Sequence, residues 1–203
     1  MKKKTYLLIV ILSIAVLAIF SCGGDNYSPK PRGYFRIDFP EKSYQTFNEP
    51  CPYRFDYPVY ANAKPDSSRL AEPCWYDLVM PRFRGRVHIT YRDITNNMAE
   101  QLEDSRTLAY KHTIKADAIL ENVFVDEEKD VYGILYDIRG NAASQVQFFL
   151  TDSTKHFLRG ALYFNVKPNK DSLAPVIDFL KEDIIHLIET FEWNENQTIE
   201  PEL

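Results

Sequence analysis

The chain has 203 residues, 24 Lys and Arg against 29 Asp and Glu, a formal net charge of −5, and 14% aromatic residues. An acidic balance excludes a nucleic-acid role, which depends on clustered Lys and Arg releasing phosphate counterions, and equally a polybasic membrane surface. A chain of this length can bury about 70% of its unfolded surface, which suffices for one well-packed domain.

Met1-Lys2-Lys3-Lys4 precedes an apolar run from Tyr6 to Phe20 and then Ser21-Cys22-Gly23-Gly24, the charged, apolar and small-residue order of a secretory signal. The run falls short of the roughly 20 apolar residues that a membrane-spanning helix needs. Ile19-Phe20-Ser21-Cys22 resembles a bacterial lipobox, with Phe20 departing from the usual small residue. The expectation is a lipoprotein signal peptide over residues 1–21, cleavage before Cys22 and acyl chains on that cysteine, which hold firmly when more than one chain is present. The alternatives are a soluble exported protein with Cys22 as a spare thiol, or an uncleaved signal anchor. Loss of Lys2, Lys3 and Lys4 with the signal moves the net charge from −5 to −8.

Residues 22–32 read as a lipid-anchored polar tether with a reach of at most about 30 Å. Residues 33–194 read as a single globular domain and residues 195–203 as a disordered tail. Tyr34 to Phe39 alternates like a strand with one buried face, ended by Pro40, and Tyr53 to Tyr57 repeats the pattern. With Cys22 assigned to lipid, Cys51 and Cys74 remain, only one pairing is available, and an exported chain predicts a disulfide rather than two free buried thiols. The proline-rich segment it closes shows little sustained periodicity.

Cys74 to Val79 and Arg86 to Tyr91 predict a strand pair joined by Pro81 to Gly85. A helix is expected from Met98 to Lys115, capped by Asn97, with a narrow apolar stripe of Met98, Leu102, Ala109 and Ala116. Strands follow at Ile119–Val125, Val131–Ile138, Gln145–Leu150 and Phe157–Val166. Their turns are Asp126 to Asp130, a tight Gly140-Asn141, and Asp152 to Lys155, the pattern of an antiparallel meander. Leu173, Val176, Ile177, Leu180, Ile184, Leu187, Ile188 and Phe191 then recur at helical spacing, with Asp171 or Ser172 as cap and Pro175 in the first turn. The predicted fold class is α+β, a mainly antiparallel sheet packed by two helices, analogous in element order to a Mog1/PsbP-like sandwich.

The chemistry-bearing patterns are sparse. His88, His112, His156 and His186 stand at no metal-ligand spacing, and G-x-S-x-G, G-x-G-x-x-G and phosphate-loop patterns are absent. No catalytic residue, metal or cofactor is predicted, and Asp126-Glu127-Glu128 lacks the spaced oxygens of a calcium loop. Arg82, Arg84 and Arg86 recur at period two, so an extended chain would present three guanidinium groups on one face as a partner-binding patch, or as an ordinary solvated strand edge. Aromatics from Tyr34 to Tyr76 concentrate in the disulfide-bearing half, as core or as an amphipathic surface for a peptide or carbohydrate. Asp152-Ser153-Thr154 and Asp171-Ser172-Leu173 resemble short O-glycan acceptor motifs.

Pro29-Lys30-Pro31-Arg32-Gly33-Tyr34-Phe35-Arg36-Ile37, with Pro40-Glu41-Lys42 and Tyr44, then Cys51-Pro52-Tyr53, Phe55 and Cys74-Trp75, resemble the GldD family of gliding motility-associated lipoproteins of the Bacteroidota. The resemblance extends to Trp193. It implies a non-enzymatic, membrane-anchored envelope component required for gliding, acting with other gliding-motility envelope proteins and the type IX secretion machinery. It carries no catalytic residues, and any small-molecule ligand is unknown. Gly23-Gly24-Asp25-Asn26 lacks a dense acidic run of the sort that marks surface export, which favours a periplasm-facing anchor without choosing the membrane.

Overall fold

The computed structural model describes Tyr6 and residues 36–111, 115–167 and 169–194. The chain divides into two compact units, Met1–Arg36 and Ile37–Leu203. Of the first, only Tyr6, helical and exposed, and Arg36 are described. No described helix is long and apolar enough to cross a membrane.

The second unit is built on seven antiparallel strands. These are β3 (Asn62–Pro65), β4 (Tyr76–Met80), β5 (Gly85–Asp93), β6 (Ala116–Asp126), β7 (Val131–Gly140), β8 (Val146–Thr151) and β9 (His156–Phe164), in the spatial order β3-β4-β5-β9-β8-β7-β6. A second sheet of three strands orders β1 (Tyr44–Phe47), β2 (Tyr53–Pro58) and β10 (Glu192–Trp193). The two helices are α1 (Met98–Tyr110) and α2 (Lys170–Glu189). This is the α+β class expected from the sequence.

Alternation divides the large sheet's two faces. Val87, Ile89 and Tyr91 of β5, Leu135 of β7, Phe148 and Leu150 of β8, and Leu158 and Leu162 of β9 share the main core with α2 and the small sheet. Tyr136, Ile138, Phe149 and Phe157 project to the opposite face, against Ala109 of α1. Central β8 is buried at every position, which is why its sequence is a nearly continuous apolar run rather than an alternating one. α2 buries Val176, Ile177, Leu180, Ile184, Leu187 and Ile188, the 3.6-residue stripe of a helix laid on a sheet.

Packing requires glycine at position 160, as it does at Gly133, where a Cβ would lie 2.1 Å from the Phe149 carbonyl oxygen. Gly160 stands opposite Phe148 across β8 and β9, and a Cβ there would lie 2.2 Å from the Phe148 ring. Gly160→Ala should destabilise the fold by about 1–3 kcal/mol, because the ring must leave its rotamer. A urea titration would show this as a lower midpoint at unchanged slope; an unshifted midpoint would mean the ring relaxes freely.

Several expectations are corrected. Residues 36–40 form no strand; Tyr34 and Phe35 lie outside the described residues. Ile37 and Phe39 do pack on the core, but by side-chain docking without a partner strand, and the ladder begins instead at β1. Helix α1 ends at Tyr110 rather than Lys115, and Ala116 belongs to β6. Its fully buried positions are Gln101, Ser105 and Ala109, while Met98 and Leu102 are half-buried against the second cluster. Asn97 precedes that helix without capping it; its Oδ1 accepts instead from the Thr95 amide at 3.0 Å.

The turn after β7 spans five residues rather than a tight pair, closed by the Ile138 amide donating to the Gln145 carbonyl at 2.7 Å. Helix α2 is capped by Asn169, whose side chain accepts from the Ser172 amide. With the cap at Asn169, Pro175 is inside the helix rather than in its first turn, so the ladder forgoes one bond there.

Candidate functional site

Cys22, the expected lipidation position, lies outside the described residues. Cys51 and Cys74 are joined by a disulfide with Cα atoms 5.6 Å apart. It ties a residue two positions before β2 to one two positions before β4, and thereby the small sheet to the large one. The Tyr53 hydroxyl reinforces the junction by donating to the Cys74 carbonyl at 2.7 Å.

The structure does not keep Arg82, Arg84 and Arg86 on one extended face. Pro81 starts a turn of 3-10 helix over Pro81–Phe83, and Arg84 closes it with φ 51°; proline's fixed φ favours such a start. Arg82 turns away and donates to the carbonyl oxygen of Asp38. Arg84 is exposed and Arg86 enters β5. The period-two reading failed because the connection is helical, not extended.

What gathers with Arg84 and Arg86 is the outer face of β4, β5 and β9. The register places Val79, Arg86 and Tyr163 in one row and Asp77, His88 and Ala161 in the next. Asp77 is 8% exposed, and its Oδ2 accepts from Arg86 at 3.2 Å. Its Oδ1 sits 2.5 Å from His88 Nδ1, a hydrogen bond when that nitrogen carries the proton. His88 meets the Tyr163 ring edge-on at 5.5 Å between centroids. His88 therefore faces away from the core, as its place in the strand predicts.

Arg159, one row further along β9, donates to Gln147 Oε1 at 2.5 Å; burial pushes its guanidinium below the usual arginine range, against the opposing pull of Tyr163. An open cleft of about 460 Å³ runs over this face, lined by Val79, Arg84, Arg86, His88, Tyr163 and Phe164 among others. Sequence reasoning missed Asp77, Arg159 and Tyr163. Their signal was available: each occupies a polar position of a strand whose apolar positions face the main core.

The aromatic residues of the disulfide-bearing half are core. Phe47, Tyr53 and Phe55 are buried, and Phe39, Tyr44, Tyr57, Tyr60, Trp75 and Tyr76 are half-buried. Phe47 stacks on Phe55 at 4.9 Å and meets Tyr76 edge-on at the same distance. Asp126 is a turn anchor, accepting from the Glu128 and Lys129 amides. Among the described residues no group of three His, Cys, Asp or Glu is placed to hold a metal ion; His112 lies outside them.

Asp152 also serves a turn: its Oδ1 accepts from the amides of Thr154, Lys155 and His156 at 2.8–2.9 Å. Partial burial opposes ionisation, yet these three donors hold the carboxyl below its ordinary value. In the O-glycan-like triplets, Ser153 and Thr154 are exposed at this hairpin tip and Ser172 is exposed in the first turn of α2.

Another cluster of ionisable groups centres on the buried Asp183. Asp183 on α2 receives Lys42 Nζ at 2.7 Å, the Tyr44 hydroxyl at 3.1 Å and the Tyr60 hydroxyl. Burial, then Asp183, pushes Tyr44 up to about 12 and raises Tyr60 as well. Every partner comes from residues 42–60, so the cluster fastens that segment to α2.

With this geometry in place, comparison with known proteins is informative. The family described as "Gliding motility lipoprotein GldD" matches residues 24–193. No curated protein matches the sequence. Among solved structures, the chain is similar to the solution structure of cyanobacterial PsbP (CyanoP) from Synechocystis sp. PCC 6803. The two share 12% identity and a TM-score of 0.47, over 82% of this chain and 99% of that one.

Proposed function

Because the chain belongs to the GldD family of gliding motility lipoproteins, we propose that acyl chains on Cys22 hold it to an envelope membrane. There its folded domain faces the periplasm and serves gliding as a non-enzymatic component. On this reading residues 1–21 are the removed signal, 22–32 the tether and 33–194 the working domain. Its partners are other gliding-motility envelope proteins and the type IX secretion machinery.

The observation that carries the reading is the extent of the family match, which spans the whole two-sheet unit rather than a short motif. Supporting it, the N-terminal sequence has the order of a lipoprotein signal. The disulfide between Cys51 and Cys74 fits an oxidising compartment. A ligand-binding role through aromatic side chains has less support, because Phe47, Tyr53 and Phe55 are buried and Phe39, Tyr57, Tyr60, Trp75 and Tyr76 pack against the core.

The test pairs a clean deletion with a chromosomal Cys22→Ala replacement, scored by colony spreading, secretion of type IX cargo and incorporation of an alkyne fatty acid. The deletion should abolish spreading, and the replacement should lose both the label and membrane retention. A deletion strain that spreads and secretes normally would sink the motility reading. Persistent label on the Cys22→Ala protein would sink the anchor assignment.

A further inference from the structure

We propose that the cleft on the outer face of β4, β5 and β9 docks an extended acidic segment of a partner protein, with Arg84 and Arg86 as the carboxylate-binding groups and His88 beside them. This goes beyond anchoring and motility, and its test in a purified system is independent of both.

The first argument is charge. The chain is acidic overall, at −5, yet the cleft is lined by Arg84 and Arg86, with His88 beside them, and Lys64 stands on the same sheet face. Lys64 joins the set because it pairs with Asp77 in the β3–β4 register. Asp77 is the carboxylate within the rows, and it is already engaged by Arg86 and His88. Asp77 thus orients the Arg86 and His88 side chains. Arg84 is exposed, and its guanidinium has no hydrogen-bonded or ionic partner among the described residues, its backbone alone being bonded to Pro81 and Asn165. A local excess of cations on an acidic domain attracts anionic partners, while the net negative charge of the rest opposes association of copies with one another.

The second argument is spacing and lining. Arg86 and His88 are two residues apart on a strand, a repeat of about 6.6 Å. An extended peptide displays alternate side chains at the same repeat, so one carboxylate can meet Arg86 while the next meets the His88 ring as a hydrogen-bond partner. A compact phosphate or lipid headgroup has no such repeat. Between the cations, Val79, Tyr163 and Phe164 line the cleft and offer apolar contact to the intervening residues of the segment. The guanidinium fork suits carboxylate oxygens, in bidentate geometry where the side chain is free to turn.

The experiment uses the full chain in neutral detergent micelles and a fluorescent peptide of alternating valine and glutamate, read by anisotropy against a valine–lysine peptide. Arg84 takes part in no internal pair, so Arg84→Glu should leave the melting curve unchanged while weakening glutamate-peptide binding at least tenfold. Arg82→Ala, whose guanidinium turns to Asp38, should bind as wild type does. Binding should also weaken as salt rises. Equal binding of the two peptides, or wild-type affinity in Arg84→Glu, would overturn the proposal. So would failure of the glutamate peptide to bind where phosphatidylglycerol doped into the micelles, or inorganic phosphate, does bind through Arg84; those outcomes would make the cleft a lipid or phosphate site.

Discussion

Replacing Cys51 and Cys74 together by alanine is expected to lower stability by about 3.5 kcal/mol, the chain-entropy value for a loop of this length. The bridge spans 23 positions in sequence, and the segment it closes contains β2 and β3, which belong to different sheets. Without it, the small sheet is joined to the large one through side-chain packing, the Tyr53 hydroxyl and the Trp193 indole donating to the Asp130 carbonyl. Cys51 is 1% exposed and part of the main core, so alanine is the appropriate replacement; serine would bury a hydroxyl in addition. For a domain of this size the loss corresponds to a melting temperature lower by roughly 7–14 °C. Calorimetry of the double variant, alongside wild type with and without reductant, measures it. A shift below about 2 °C would mean that packing alone fixes the two sheets. Tyr53→Phe should cost about 1 kcal/mol by removing one buried hydrogen bond, and more in the reduced protein if the two ties support each other.

The meander and α2 were legible because their signals are local. Strands β6 to β9 occur where alternation and turn residues place them, within a few residues at either end. The apolar stripe of α2 is the strongest periodic feature of the chain. What was illegible depends on distant partners. β1 and β3 are four residues each, too short for a pattern to register, and they exist because β2 and β4 offer edges. Tyr34 to Phe39 has the alternation of a strand, but residues 36–39 find no neighbouring strand and dock only their side chains. The arginine trio shows the same limit at the site. Period two in sequence became period two in space only where β5 begins, because Pro81 imposed a turn on the residues before it. Asp77 and Tyr163 joined Arg86 through strand register, which a single sequence does not display.

Asp183→Ala is expected to cost about 3 kcal/mol, because it removes the buried member of an ion pair and strands its half-buried partners. The carboxylate side chain is 4% exposed and Lys42 is 26% exposed. Lys42 additionally donates to the Phe179 carbonyl at 2.6 Å and lies 3.5 Å above the Phe179 ring, on which Phe39 stacks. Removing Asp183 thus leaves an ammonium and two tyrosine hydroxyls without their shared acceptor, at the point where residues 37–60 meet α2. Asp183→Asn should be nearly as costly, since the amide keeps one acceptor but points N–H donors at other donors. Asp183→Leu with Lys42→Met should recover part of the loss, because an apolar pair carries no desolvation penalty. Urea unfolding of the four proteins decides the matter, and a cost under 1 kcal/mol for Asp183→Ala would show that the cluster is solvated rather than interior.

The same cluster sets an alkaline limit. Tyr44 rises from 10.0 to about 12 on folding, through burial first and the Asp183 charge second. A group whose folded value is raised contributes stability that is fully present below its unfolded value and is lost as pH climbs through the folded one. Stability should therefore hold to about pH 10 and fall towards pH 12, with Tyr60 acting in the same direction. Tyr44→Phe should flatten the first part of that decline, followed by urea midpoints and tyrosinate absorbance across the range. A decline of unchanged slope in the variant would assign the alkaline transition to other tyrosines, and would leave Asp183 as a tie for Lys42 and Tyr60 alone.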